Sequence, residues 1–178
     1  MIKLKELGKP RNLAVIAMLA AANVVVSSML AVHTETIKLS FSFVTVAFAA
    51  YFFGPVAAAF VGGVGDVVSA VAFPVGPYFP GFTLTAVLTG ICFGFFLYKE
   101  TGIFKISVSV LINELIGSLL INSFWISFLY KAPFKALVVS RLTTQILPMI
   151  AVEIFTLWLF FGKSMVMEKI KKMIDKQK

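Results

Sequence analysis

Six apolar runs, separated by short breaks at Pro, Gly or charge, follow one another along the chain near Arg11–Val32, Ile37–Phe53, Pro55–Phe73, Phe82–Tyr98, Lys105–Tyr130 and Phe134–Gly162. A helix needs about 20 mostly apolar residues to cross a bilayer, give or take a few. Read this way, residues 1–178 form one all-α integral membrane domain of six transmembrane helices, with almost nothing left for a soluble domain. The second run is the shortest, and its alternating start, Ser40-Phe41-Ser42-Phe43, has the period of a strand, so its outer end is predicted to be irregular or strand-like. The first run follows Lys3, Lys5, Lys9 and Arg11 as a signal peptide would. Its apolar stretch exceeds the ~7–15 residues usual for such a segment, and no cleavage site follows, so it reads as a span.

Composition points the same way. Of the 178 residues, 60% are hydrophobic, 13% are charged and 19 are Phe, against roughly 45–50% apolar and about 25% charged in a soluble domain. So little polar surface sets aside cytosolic enzymes and nucleic-acid-binding modules. The net charge of +8 is concentrated at the ends of the runs and therefore bears on orientation. Among the 16 Lys and Arg residues, Lys38, Lys131 and Lys135 lie in the connections on one side, Arg141 lies within the sixth run, and all the others fall on the opposite side. Cytoplasmic loops carry the positive excess, which predicts that both termini are cytoplasmic and that the protein resides in the cell membrane. The tail Lys163–Lys178 mixes basic residues with Ile170, Met173 and Ile174, which suits a helix end on anionic lipid headgroups or a solvated tail equally. The single Cys92 cannot form an internal disulfide.

Chemistry is sought among polar groups inside the runs, where they are costly and must face protein, a partner or a cavity. Asp66, Glu114, Arg141 and Glu153 are the ionisable ones. On the fifth run Glu114, Ser118, Asn122 and Trp125 share a helical face, and on the sixth Arg141 and Gln145 lie one turn apart. Two polar stripes rising toward the same side predict an outward-opening pocket; snorkelling to headgroups is the alternative for Arg141. The connection from Phe73 to Phe82 holds three Pro, two Gly and four aromatics without a charge. It suits a rigid aromatic lid over a flat ligand or an interfacial aromatic belt. Ala14, Ala17 and Ala21 share a face of the first run, and Gly90 and Gly94 form a small-residue pair in the fourth; both permit close helix contact with a partner inside or outside the chain. Gly162-Lys163-Ser164 looks like the end of a phosphate-binding loop, yet Leu157 stands where that motif needs Gly, so no ATP site is expected. His33 has no Cys or close His partner, so no tight transition-metal site is expected.

The chain resembles the S-components, the substrate-binding subunits, of energy-coupling factor vitamin transporters, and among them the folate-specific members. The resemblance covers nearly the whole chain. It rests on the block Thr36 to Val44 (TIKLSFSFV), Phe53-Gly54-Pro55-Val56-Ala57, Val61 to Asp66 (VGGVGD), Tyr78 to Ala86 (YFPGFTLTA), and Asn122 to Ser127 (NSFWIS) followed by Arg141. The Phe-Pro-Gly-Phe-Thr and Asn-x-x-Trp blocks together carry most of its specificity. Ala17 and Ala21 match the family's Ala-x-x-x-Ala coupling motif.

The resemblance implies a six-helix subunit that captures folate from outside and is not itself an enzyme. Transport in that family needs a coupling membrane protein and two ATP-binding subunits, so this chain would hold no cofactor of its own and ATP would be used by the partners. The substrate-binding set expected here is Lys38, Phe43, Asp66, Tyr78, Phe79, Asn122, Trp125, Arg141 and Gln145, and the coupling contact is Ala14, Ala17 and Ala21. Folate-specific members often carry an Arg after Leu-Ser at the outer end of the first helix, whereas Val26-Ser27-Ser28-Met29 stands here. That departure leaves another flat vitamin or precursor (another pterin, a pyrimidine, pantothenate) as the alternative. A proton-coupled carrier or intramembrane enzyme using Asp66, Glu114 and Glu153 is the competing class.

Overall fold

The computed structural model describes residues 8–29, 32–33, 38–74, 77–99 and 102–162, with backbone alone at 32–33 and 38–39. Lys3, Lys5, the side chains of His33 and Lys38, and the tail Lys163–Lys178 lie outside the described residues. Among the described residues six helices run up and down in sequence: α1 (Pro10–Ser28), α2 (Ser42–Phe53), α3 (Pro55–Ala72), α4 (Pro80–Leu97), α5 (Ile103–Tyr130) and α6 (Phe134–Phe161). All but α2 have the length and hydropathy to cross a membrane, and the large apolar side chains left exposed, such as Met18, Val71, Phe95 and Phe128, are those a lipid phase would cover.

The helix ends follow from local chemistry. Pro10, Pro55 and Pro80 stand in the first turns of α1, α3 and α4, where the missing N–H has no intrahelical partner to lose. For that reason α4 begins at Pro80, two residues before the apolar run taken as its start. Gly54, at φ +88°, ends α2 and starts α3 in one residue, a backbone conformation that side chains disfavour. The first two helices are shorter than their apolar runs: α1 stops at Ser28 rather than Val32, and α2 starts at Ser42 rather than Ile37. Between them the chain doubles back, β1 (Val32–His33) pairing antiparallel with β2 (Lys38–Leu39). The strand-like entry expected of the second run is therefore present, just before the alternating residues that signalled it.

Two helices depart from α geometry in their interiors. In α5 the segment Asn113–Ile121 is π-helical, and in α6 so is Leu142–Ile146, directly before Pro148, whose ring cannot donate to the preceding turn. The apolar core occupies the end of the bundle nearest the α2–α3 and α4–α5 turns, where Ala47, Ala50, Ala58, Phe93, Leu97, Ile106, Val110 and Leu157 are fully buried. Phe48, Tyr51, Phe52 and Phe161 close that end with rings 5.0–6.3 Å apart. The other end of the bundle is not filled.

Candidate functional site

A cavity of about 520 Å³ occupies that unfilled end, within the ~300–1,000 Å³ usual for small-molecule sites. It begins among helix ends at Ser28, Ser40, Pro77, Tyr78 and Tyr130 and reaches down to Phe93, Asn113, Glu114 and Glu153. Every helix contributes to its wall. On α1 the contributors are Ser28 at its end and, below it, Asn23 and Ser27, both buried and one turn apart. The Asn23 amide donates to the Val61 carbonyl at 3.2 Å and accepts from the Thr45 hydroxyl at 2.6 Å, while the Ser27 and Ser69 hydroxyls meet at 2.6 Å. These bonds tie α1 to α2 and α3 across the cavity's side. Asn23 fits because α3 presents Gly65 to it; a Cβ there would collide with the Asn23 side chain.

The opposite wall is aromatic and hydroxylic. Thr83 donates to Asp66 Oδ2 at 2.7 Å and meets the Tyr78 hydroxyl at 3.1 Å, which anchors the end of the α3–α4 connection over half-buried Asp66. Phe79 stacks obliquely on Trp125 at 5.4 Å, and Trp125 Nε1 donates to the Thr85 hydroxyl at 3.3 Å. Between α5 and α6 lies a charged group of residues. Arg141 is 5% exposed; its Nε donates to Gln145 Oε1 at 3.1 Å and its guanidinium to the Ser123 hydroxyl at 3.1 Å, and Glu114 lines the same cavity. Ser118, one turn from Glu114 on α5, and Glu153 on α6 line the cavity with it. Four cavity-lining groups retain a buried polar atom without a partner: Asn113 Nδ2, Glu114 Oε2, Asn122 Oδ1 and Glu153 Oε2.

Phe43, Asp66, Tyr78, Phe79, Asn122, Arg141 and Gln145 are thus brought together from four helices and one connection to line a single cavity. Trp125 does not line it. The stripe begun by Glu114, Ser118 and Asn122 continues through Ile126 and Tyr130, and Trp125 stands behind Phe79 as its support. Lys38 lies on β2, and its side chain is outside the described residues. Ala14, Ala17 and Ala21 are exposed on the face of α1 turned away from Asn23 and Ser27. Gly90 and Gly94 resolve to an internal contact, backbone of α4 against Ala58 and Pro55 of α3. Asn23, Ser27, Ser69, Thr85 and Asn113 were not anticipated in the lining. The i, i+4 spacing of Asn23 and Ser27 in an apolar run was the available signal; the others needed the packed bundle.

The sequence pattern of the family described as "ECF transporter, substrate-specific component" matches residues 11–162. The chain belongs to this family. Its relatives include the "Folate transporter FolT" of Clostridium novyi, 31% identical over 159 residues that span 88% of this chain and 92% of the relative. The protein of the same description from Leuconostoc mesenteroides is 32% identical over 122 residues, 67% of this chain and 65% of that one. A solved structure, "Crystal structure of FolT bound with folic acid", superposes with a TM-score of 0.82 at 28% identity, covering 88% of this chain and 95% of that chain. As an ECF substrate-specific component the chain is a multi-pass membrane protein, a part of a transporter and not an enzyme.

Proposed function

We propose that this ECF substrate-specific component binds folate in the cavity between its helix ends and hands it inward to an ATP-driven coupling module. The observation that carries the reading is a 520 Å³ cavity with one aromatic and one polar wall, in a fold that matches FolT bound with folic acid at a TM-score of 0.82. A flat pterin ring suits Phe43, Tyr78 and Phe79 for stacking, while Asp66, Asn122, Arg141 and Gln145 offer hydrogen bonds in a desolvated setting. Lys38 is proposed to meet the ligand from β2.

The cavity mouth lies at the bundle end that carries Lys131, opposite the end that carries Lys9 and Arg11. With the positive excess inside, the mouth faces outward and both termini face the cytoplasm in the cell membrane. The exposed stripe Ala14, Ala17 and Ala21 is the proposed contact for a transmembrane coupling protein, which works with two ATP-binding subunits; this chain itself needs no cofactor.

The test is equilibrium binding of folic acid to the purified chain in detergent, read by quenching of Trp125 and Trp158 fluorescence and checked by calorimetry. One-to-one binding without any partner is expected. Failure to bind folic acid overturns the folate reading and turns attention to a second one, another flat vitamin or precursor. Ser28, at the cavity mouth, where folate-specific members often carry Arg, is the observation that favours it.

A further inference from the structure

The two halves of the α5–α6 hairpin are built differently. Toward the α4–α5 turn, α5 and α6 bury Ile106, Val110 and Leu157 completely in the apolar core. Further out, over Asn122–Tyr130 and Phe134–Arg141, the buried side chains are Ser123 and Arg141, which bond to each other at 3.1 Å, while Phe124, Phe128, Tyr130 and Val139 are exposed. The Ser127 hydroxyl adds a second bond within this outer half, donating to the Ala132 carbonyl at 2.7 Å. The outer half is therefore braced within itself. It touches the rest of the bundle mainly at one place, where Trp125 and Phe128 meet Phe79 at 5.4 and 6.2 Å and Trp125 Nε1 donates to Thr85. Few buried apolar contacts mark the parts of a fold that open at least cost.

Both helices carry a break in their hydrogen-bond ladder just where this outer half begins. The Asn122 N–H bonds to the Gly117 carbonyl and the Leu147 N–H to the Leu142 carbonyl, five residues back instead of four, and the two π-helical segments, Asn113–Ile121 and Leu142–Ile146, touch each other. In α5 the segment contains Gly117, which has no side chain to stiffen the backbone. In α6 the Thr143 and Thr144 hydroxyls bond back to the Ser140 carbonyl at 3.1 and 2.8 Å, a pattern that bends helices, and Pro148 follows without an N–H. A break in one helix bends that helix, whereas breaks side by side in two helices joined by a short turn give them a common axis. From these observations we infer that Asn122–Tyr130 and Phe134–Arg141 form a jaw that pivots on the two π-helical segments and opens the cavity from the side of α5 and α6, with Phe79 and Trp125 as its latch. Asn122, Tyr130 and Arg141 line the cavity from the jaw, and Phe43 and Asp66 line it from the body. A ligand that fills the cavity touches both and so favours the closed state. The inference rests on the folate reading only for the identity of that ligand.

The test measures the distance from jaw to body between paired spin labels, by double electron–electron resonance, in a Cys92→Ala background that removes the one native thiol. Val139→Cys on the jaw is paired with Val71→Cys on α3, and Val71→Cys with Phe95→Cys on α4 is the control within the body; these positions are exposed and do not line the cavity. Without ligand the jaw pair is expected to give a broader distribution than the control. Saturating folic acid is expected to narrow it and to leave the control unchanged. A jaw pair as narrow as the control without ligand, or one that bound folic acid leaves as broad as before, overturns the jaw. Should the thermal midpoint show that labelled Val139→Cys is not folded, Ala136→Cys replaces it one turn away, also exposed. In Gly117→Ala the added Cβ meets only ordinary contacts, 3.7 Å from Thr85 and Thr89. That variant is expected to narrow the unliganded jaw distribution and to slow folic-acid association and dissociation alike by about twofold to fivefold, the size of the Gly-to-Ala difference in helix propensity. Wild-type width together with wild-type rates in Gly117→Ala overturns the pivot. A wild type that binds no folic acid brings down the folate reading, and the unliganded distributions then decide the jaw by themselves.

Discussion

Arg141 shows what a buried cation demands. At 5% exposure within a membrane-spanning helix it has lost its water, and neutral acceptors from Gln145 and Ser123 stand in for it. Its removal takes a buried cation, and its bonds to Gln145 and Ser123, out of the wall of a site proposed to hold an anion. Arg141→Ala is therefore expected to weaken folic-acid binding by tenfold or more, about 1.4 kcal/mol by calorimetry, and to lower the unliganded thermal midpoint in detergent. An unaltered affinity would remove Arg141 from the site. The pairing with Gln145 was legible as a one-turn spacing. The bond to Ser123 was not, because nothing along the chain sets the separation of α5 from α6.

At the scale of elements, close backbone approach does as much as side-chain choice. Gly94 lets α4 rest on Pro55, and a Cβ at Gly62 would stand 2.7 Å from the Ala86 carbonyl oxygen. Overpacking such a contact costs roughly 1–3 kcal/mol. Gly94→Leu is accordingly expected to lower the thermal midpoint of the purified protein, whereas Gly102→Ala, with open space around its position, is expected to leave it unchanged. Equal midpoints for the two variants would show that α3 and α4 are not held by this contact. The sequence marked Gly90 and Gly94 as a close-contact pair but not the partner. The helical limits show the same division: Pro55 marked the start of α3, α4 starts at Pro80 rather than Phe82, and a short strand pairing withheld the end of α1 and the start of α2 from the helix.

Across the whole molecule, α1 has two faces, one toward the cavity and one proposed to meet the coupling protein. Asn23 and Ser27 bind it to α2 and α3 beside the cavity, and Ala14, Ala17 and Ala21 look outward. A bulky residue on the outer face reaches none of the cavity lining. Ala17→Trp is expected to leave folic-acid affinity within about twofold of wild type, a difference of about 0.4 kcal/mol, and to abolish ATP-dependent uptake in vesicles that also hold the coupling module. Intact uptake would show that this face makes no coupling contact.

The sequence by itself determined the membrane class, the six helices and their order, because hydrophobic run length and helix-breaking residues are local properties that the bilayer reads directly. It also singled out Asp66, Asn122, Arg141 and Gln145, since a polar group inside an apolar run carries a cost wherever the run ends up. Only the tertiary structure decided that these residues share one cavity with Phe43, Tyr78 and Phe79, that Trp125 supports the site from behind, and that Asn113, Glu114 and Glu153 meet at its floor. Depth and facing depend on how far each helix slides and turns against its neighbours, through contacts such as Gly65 on Asn23 and Gly94 on Pro55 between residues far apart in the chain.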